Sequence, residues 1–287
     1  MNGQLLRWAP GGGLRPSARD TGALLAADSW LVASGAARGL SRHQDRFAAA
    51  CSPLVGTAEL AAFWAAVRVV LPTRGQWVPR VELVADGGPR LQIRVRPAPA
   101  IRDRVVVWVH DGPDPRRHPR RKGPDLKRLA AVRARAEAAG AGEALLTTGD
   151  GVVVEGATSS VLWWESGVLC APSPRLRVLD GVTSGLVQAL AADAGVRVRH
   201  RQAKLADLAG REVWVVNALH GIRPVTAWIG ADLQAGPAIR APRWRELLAR
   251  QSVPISDPAN LPLPDGTRRA PLPAARGRDA LDAAYPA

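Results

Sequence analysis

Short apolar runs bounded by glycine, proline or aspartate recur along the chain and predict β-strands. In the first part of the chain these runs cover residues 4–8, 27–33, 81–85, 90–96 and 105–110. The turn Asp86-Gly87-Gly88 tolerates positive φ and therefore predicts a hairpin between the third and fourth runs. Helices are predicted over residues 41–51 and 57–71, with Ser41 and Thr57 as their N-caps. We expect a small α+β unit over residues 1–111.

The second part of the chain also mixes helices with strands. We predict a helix over residues 125–139, stopped by Gly140, and another over residues 183–193. The predicted strands cover residues 144–148, 152–155, 160–164, 168–171, 196–200 and 213–216. Because there is no regular βαβ alternation, the predicted fold class is α+β. We expect a larger domain over residues 112–251 and a disordered tail rich in proline and alanine over residues 252–287.

Composition excludes several classes of protein. No apolar stretch approaches the roughly 20 residues of a membrane span, and no signal peptide is visible, so we expect a cytoplasmic protein. Cys51 and Cys170 have no metal-ligand spacing and are interpreted as small apolar residues; no metal site is predicted. The net charge of +14 would suit a nucleic-acid partner, but arginine is spread along the chain with few aromatic residues between. Nucleic-acid binding is therefore disfavoured.

Three segments contain charged residues that are candidates for a functional site. His43-Gln44-Asp45-Arg46-Phe47 places an arginine on an early helix, where its guanidinium offers paired donors to a phosphate. Lys122-Gly123-Pro124-Asp125-Leu126 places one of the three lysines of the chain just before a helix. Val154-Glu155-Gly156 ends a hairpin strand 33 residues (155 − 122) further on. Taken singly, each could be a surface arginine, a solvated lysine or a structural turn.

Two later segments offer backbone donors. Leu179-Asp180-Gly181-Val182-Thr183 begins a predicted helix, whose N-terminal amides and threonine hydroxyl suit an anion, although an ordinary N-cap gives the same pattern. Val216-Asn217-Ala218-Leu219 ends a predicted strand before a turn marked by glycine and proline. No Walker or GxSxG signature is present.

The order and spacing of these segments resemble the class IV aminotransferases, a family of pyridoxal-phosphate (PLP) enzymes, over roughly residues 28–228. The resemblance implies fold type IV, with a small N-terminal domain, a larger pseudo-barrel domain and a homodimer. It also implies that Lys122 carries the PLP and that Glu155 pairs with the protonated ring nitrogen. The remaining positions it assigns to the cofactor are Arg46, Val182, Thr183, Asn217 and Ala218. Ser160 stands where the family often has asparagine.

The choice of reaction is less constrained than the family. Asn217-Ala218-Leu219 is similar to the corresponding segment of the aminodeoxychorismate lyases. Ser29 falls near the position of a hydroxyl residue that these lyases place beside the cofactor, and this resemblance implies that Ser29 binds substrate. The tyrosine common in branched-chain aminotransferases is missing near Lys122, since the one tyrosine is Tyr285. We expect a lyase that forms 4-aminobenzoate, with a branched-chain or D-amino-acid transaminase as the alternative. A cofactor-free relative that binds anions or nucleic acid is a further alternative, against which Lys122, Arg46 and Glu155 argue.

Overall fold

The computed structural model describes residues 3–18 and 21–256. The α-helices are α1 (Leu40–Cys51), α2 (Thr57–Val70), α3 (Leu126–Ala138), α4 (Val182–Asp193) and α5 (Ala241–Ala249), and a 3-10 helix covers Leu205–Leu208. The strands are β1 (Gln4–Ala9), β2 (Gly13–Pro16), β3 (Ala23–Ser29), β4 (Val32–Ala33), β5 (Ala36–Arg38), β6 (Gln76–Trp77), β7 (Arg80–Ala85), β8 (Pro89–Val95), β9 (Val105–Val109), β10 (Glu143–Thr147), β11 (Val153–Gly156), β12 (Ser160–Glu165), β13 (Val168–Pro172), β14 (Val198–Arg201), β15 (Val213–Asn217), β16 (Gly221–Ile229) and β17 (Ser252–Pro254).

A five-stranded antiparallel sheet with the strand order β2-β1-β8-β7-β3 forms the first layer. Helices α1 and α2 cover one face of this sheet and contribute a cluster of buried aromatic side chains. These are Phe47, Phe63 and Trp64, which pack with Trp30 from the end of β3. The apolar surface removed from water by these rings fixes α1 against β3 and so positions the polar residues that both elements carry.

An eight-stranded sheet with the order β11-β10-β9-β16-β15-β12-β13-β14 forms the larger unit. It curls into a half-barrel, because the edge strand β11 reaches back to β12 and β13, and the Val153 amide donates to Ala203 O at 2.8 Å. One apolar cluster fills the concave side, while α4 and α5 cover the outer face with a second cluster. The mixture of helices and sheets confirms the predicted α+β class.

Two assignments of chain segments differ from the sequence predictions. Strand β9 was expected in the first unit but pairs in parallel with β10 and β16 of the half-barrel. Strand β17 pairs with β5, and Ile255 beyond it is buried in the first core, so disorder from residue 252 onward is wrong for residues 252–256. Residues 257–287 lie outside the described residues. The domain limits themselves stay predictions.

The predicted N-caps of α1 and α2 are wrong. The residues at these positions are Gly39, in the left-handed conformation with φ of 59°, and Gly56, and neither helix has a side-chain cap hydrogen bond. Ser41 and Thr57 lie inside the first turns instead, and Ser41 is buried. The positions and types of the predicted helices are otherwise confirmed to within a few residues.

Candidate active site

One cavity of about 330 Å³ brings together all the residues that the sequence assigns to the site. Elements of both sheets contribute to its walls, because β3 and α1 face the ends of β11 and β15 and the start of α4 across it. The predicted residues that line this cavity are Ser29, Arg46, Lys122, Glu155, Val182, Thr183, Asn217 and Ala218. The fold therefore assembles the predicted set in one place, while the role of each residue remains a prediction.

The backbone around Lys122 is fixed against β3. The Ala27 amide donates a hydrogen bond to Lys122 O at 2.8 Å. Gly123 has a φ of 131°, and a Cβ at this position would lie 2.8 Å from the Ala26 backbone, so only glycine fits. This close approach holds the Lys122 side chain at the cavity. The other two lysines, Lys127 and Lys204, are exposed.

The Lys122 ammonium group is destabilised by its surroundings. Burial and the nearby guanidinium groups of Arg46 and Arg80 lower the pKa of Lys122 from 10.5 to about 8, against the opposing effect of Asp28. Amine without its proton is therefore much more abundant near neutral pH than for an exposed lysine. Deprotonated amine is the form that attacks an aldehyde, so Lys122 suits covalent attachment of a carbonyl group.

Arg46 is held by a buried acid that the sequence analysis missed. Its Nε and Nη2 atoms each donate to Asp28 at 2.8 Å, and its Nη1 donates to Asp180 O at 2.6 Å. Asp28 is fully buried and also bonds His43 Nδ1 at 2.8 Å. Burial opposes ionisation of Asp28, but Arg46 and His43 outweigh it and hold its pKa below the usual value. Three of the five guanidinium N–H donors of Arg46 are used, which leaves two for a ligand.

Glu155 is positioned by an arginine from the segment that precedes Lys122. Arg116 Nη1 forms an ion pair with Glu155, and the Leu179 amide donates to its Oε1 atom at 3.2 Å. Arg116 also bonds Asp114 through two nitrogens and is buried. Arg116 is therefore not a solvated arginine, although it lies in a segment rich in arginine and proline whose composition is typical of a solvated basic linker. The neighbouring Arg117 and Arg120 are exposed, as expected for that segment.

The N-terminus of α4 provides the anion-binding geometry at one end of the cavity. Val182 and Thr183 are the first residues of the helix and are buried, and the N-cap Gly181 has no side chain to occupy the free amides. A second cavity of about 700 Å³ lies against the same helix end and shares Arg46 with the first. Its other basic lining residues are Arg42, Arg117, His118, Arg120, Arg121 and Arg177. This end of the site therefore favours negative charge.

The turn between β15 and β16 closes another side of the cavity. The Asn217 side chain is built into this turn, since its Oδ1 accepts from the His220 amide at 2.8 Å. Its Nδ2 donates to Thr158 O at 3.4 Å, across the gap to the segment after β11. Ala218 O accepts from Arg38 at 3.4 Å, while the Ala218 residue lines the cavity. These bonds fix the path of the Asn217–Ala218 backbone at the site.

Other chemistry is not visible in the described part of the chain. Residues 3–18 and 21–256 contain no group of three or more His, Cys, Asp or Glu side chains placed to hold a metal ion. Within the same ranges, none of the helices has both the length and the apolar character of a membrane span. Cys51 and Cys170 are buried and unpaired, and burial raises the pKa of each thiol, to about 12 and about 11 respectively. Both therefore behave as small apolar residues, as predicted.

Several charged residues that line the cavity or contact its lining residues were missed in the sequence. Asp28 could have been found as the one acid in the otherwise apolar strand β3. Arg223 could have been found in the same way, since it lies between Ile222 and Val225 on β16. Arg80 and Arg96 carry no such signal, because arginine is common in the flanking segments.

The comparison with protein families assigns the chain. The profile described as amino-transferase class IV matches residues 25–228, which is more than half of the sequence. The chain therefore belongs to the class IV aminotransferase family, whose enzymes use PLP. A comparison with curated proteins gave no match.

Solved structures show the same fold. A hypothetical aminotransferase from Mycobacterium tuberculosis, in its apo form, has a TM-score of 0.72 at 22% identity over 86% of this chain and 98% of that chain. A candidate branched-chain amino acid aminotransferase from Thermotoga maritima has a TM-score of 0.67 at 20% identity over 86% and 95%. A candidate 4-amino-4-deoxychorismate lyase from Legionella pneumophila has a TM-score of 0.69 at 15% identity over 79% and 90%. At these identities the likeness establishes the fold, which is fold type IV as expected.

Proposed function

We propose that the cavity binds PLP, with Lys122 as the residue that holds it covalently. The residues present fit the three polar parts of the cofactor. The amides of Val182 and Ala218, the Thr183 hydroxyl and the two remaining donors of Arg46 suit a phosphate dianion. When bound, PLP supplies an electron-withdrawing ring that stabilises negative charge on the substrate carbon bearing the amine.

Glu155 is the group that would face the pyridine nitrogen, and Arg116 holds its carboxylate in one orientation. Lys122 would have a second role during the reaction. As a free amine, its Nζ atom would accept the proton from the amine-bearing carbon of the substrate, and its buried position, which lowers its pKa, suits that role. Burial therefore serves both attachment and proton transfer.

For the reaction, we propose a 4-amino-4-deoxychorismate lyase. The observation that supports it best is the Asn217-Ala218-Leu219 turn, which lines the cavity and fixes the Asn217 side chain there. Also in its favour, no tyrosine lines the cavity within the described residues, and Tyr285 falls beyond them. Lys122 would remove the ring proton beside the amine, and the ring C–O bond to the enolpyruvyl group would break. The enolpyruvate takes up a proton to become pyruvate, and the ring becomes aromatic as 4-aminobenzoate, with no oxidant required.

The second candidate is an amino-acid transaminase. The residues at the cofactor serve both reactions, and the similar structures include proteins described under each activity. A transaminase would instead need Lys122 to return the proton to the cofactor rather than let a leaving group depart. We also propose a homodimer in the cytoplasm, on the strength of the family alone.

The test is turnover of 4-amino-4-deoxychorismate by the purified holoenzyme without any keto acid. The lyase proposal predicts equal amounts of pyruvate and 4-aminobenzoate, and no product from a Lys122→Ala variant. The opposite result is that this substrate is untouched, while an amino acid bleaches the cofactor absorbance and 2-oxoglutarate restores it. That result would establish the transaminase.

A further inference from the structure

The cavity has an extension that the proposed cofactor contacts do not use. On one side it is lined by Leu126, Leu129 and Arg133 of α3, and on the other by His220 and Arg223 of the β15–β16 region. We refer to this part, defined by these five residues, as the α3 arm. It belongs to the same cavity as Lys122, so one molecule can occupy both the α3 arm and the region of Lys122.

Arg223 is a charged residue on an apolar face. It pairs in register with Val215, and both Val215 and Val225 belong to the cluster that fills the concave side of the half-barrel. The preceding residue, Ile222, packs into the opposite cluster under α4 and α5. Alternation along β16 therefore directs the Arg223 side chain to the interior, where only 2% of the residue is exposed. A guanidinium group in such a place needs a partner.

The partner available within the protein is a poor one. Arg223 Nη2 lies 3.5 Å from Glu143 Oε2, at the limit of a hydrogen bond. Glu143 has nearer donors, since Thr158 Oγ1 lies 2.6 Å from the same oxygen and Ser159 Oγ also contacts it. Arg223 Nε has no hydrogen-bond partner among the residues that the structure describes. Glu143 is therefore satisfied without Arg223, whereas Arg223 is not satisfied by Glu143.

The rest of the arm is also arranged for an anion. Burial lowers the pKa of Arg223, with Glu143 opposing the effect and Arg133 and Arg102 adding to it, so the positive charge of the guanidinium is only partly compensated within the protein. Burial and the same arginines, together with Arg223, lower the pKa of His220 to about 4, so its ring is neutral at pH 7. His220 Nδ1 accepts from the Arg102 amide at 3.2 Å, which leaves the ring proton on Nε2 as a donor.

We infer that the α3 arm binds a carboxylate of the substrate remote from its amine, with Arg223 as the main contact and Arg133 at the entrance. The inference rests on the proposed function, because it takes the cavity to hold PLP and an amino substrate. It restricts the substrate to dicarboxylic amino compounds. Both 4-amino-4-deoxychorismate and glutamate belong to that class, whereas branched-chain amino acids do not.

The experiment compares binding of glutarate and pentanoate to the holoenzyme by calorimetry. These two acids have the same chain length, are achiral and do not react, and they differ in the second carboxylate alone. A charge-assisted contact predicts glutarate binding roughly 10- to 100-fold tighter. Arg223→Met should reduce this ratio to about one while PLP affinity is kept. Arg223→Lys retains the charge but not the planar fork of N–H donors in the guanidinium group, so it should keep part of the preference for glutarate.

Arg96 provides the matched control, because it lines the same cavity from the end of β8. Arg96→Met should leave the glutarate-to-pentanoate ratio unchanged. The inference is overturned if the wild-type ratio is near one, if Arg223→Met preserves it, or if Arg96→Met abolishes it. If Arg223→Met does not fold, an Arg223→Lys variant with the full wild-type ratio contradicts the role of the planar fork and overturns the assignment.

Failure of the proposed function gives a different pattern. If no PLP binds, the same titration of the apo protein still reports on the α3 arm. If PLP binds at Lys122 and 4-aminobenzoate is released without any glutarate preference, the function stands and the inference alone fails. If glutarate is preferred but aminodeoxychorismate is untouched, the inference about the α3 arm holds and the lyase assignment fails.

Discussion

The ion pair between Arg46 and Asp28 links the stability of the protein to its cofactor site. Arg46→Met removes both guanidinium bonds to a carboxylate that is fully buried and leaves it with His43 and the Ser29 amide as its remaining partners. Breaking a buried pair costs about 3–5 kcal/mol. We take the lower end, about 3 kcal/mol, because His43 remains and the Arg46 side chain is 16% exposed. For a chain of this size the melting temperature should fall by roughly 6–12 °C.

A second substitution separates the structural role of Arg46 from phosphate binding. Asp28→Asn removes the stranded charge, so the Asp28→Asn/Arg46→Met double variant should recover most of the lost stability. It should still bind PLP roughly 10- to 100-fold more weakly than wild type, because the two free guanidinium donors are gone. Thermal unfolding of the apo proteins measures the stability that the double variant recovers. PLP titration measures its affinity for the cofactor. Wild-type PLP affinity in the double variant would refute the phosphate role of Arg46.

The pH dependence of the stability is an independent test of the ion pair between Arg46 and Asp28. Asp28 has a folded pKa below its usual value of 3.8, so its contribution to stability is present above about pH 4 and is lost as the pH falls. The stability difference between wild type and Arg46→Met should therefore narrow below about pH 4. A difference that stays constant down to pH 3 would show that the charge on Asp28 is not the cause.

Three further predictions concern other parts of the structure. Since the pKa of Lys122 is about 8 when folded and 10.5 when unfolded, apo-protein stability should rise between these pH values, and Lys122→Met should remove that rise in melting curves. Arg116→Gln frees the Glu155 carboxylate and should lower kcat roughly tenfold with phosphate affinity unchanged, whereas Arg116→Lys should recover part of the lost kcat. Equal kcat values for Arg116→Gln and wild type would contradict this role. A chain ending at Arg250 loses β17 and the buried Ile255 that follows it, so it should be less stable than one ending at Ser256 by about 1.5–3 kcal/mol in denaturant unfolding, and equal midpoints would count against this prediction.

Local patterns predicted most of the elements because the turn residues between them carry strong signals. Gly140 and Gly195 have positive φ at the ends of α3 and α4, and the hairpin after Asp86 forms as expected. Which strand pairs with which could not be predicted in the same way. The parallel neighbours of β9 lie about 35 and 120 residues further along the chain, as in the pairs Val107–Glu143 and Val105–Val225, and apolar periodicity carries no information on such pairing.

The candidate site shows the same difference between local features, which the sequence reveals, and long-range contacts, which it does not. Lys122 could be found because the chain offers three lysines, and its spacing to Glu155 agreed with a known family. The burial of Arg116 could not be found, because it depends on a contact with Glu155 across 39 residues (155 − 116) and sits in a segment with no apolar pattern. Similarly, the low pKa of Lys122 comes from burial and from Arg46 and Arg80, which are distant in sequence, and not from the adjacent Arg121.

The covalent position of the cofactor tests the central claim most directly. The holoenzyme is reduced with borohydride, digested, and its peptides are mapped for the added PLP mass, with a Lys122→Arg variant as the control. We expect the label on Lys122 and none in the variant, because this lysine alone is held at the cavity while Lys127 and Lys204 are exposed. Label on Lys127 or Lys204, or no label on a protein that is folded and saturated with PLP, would contradict the account.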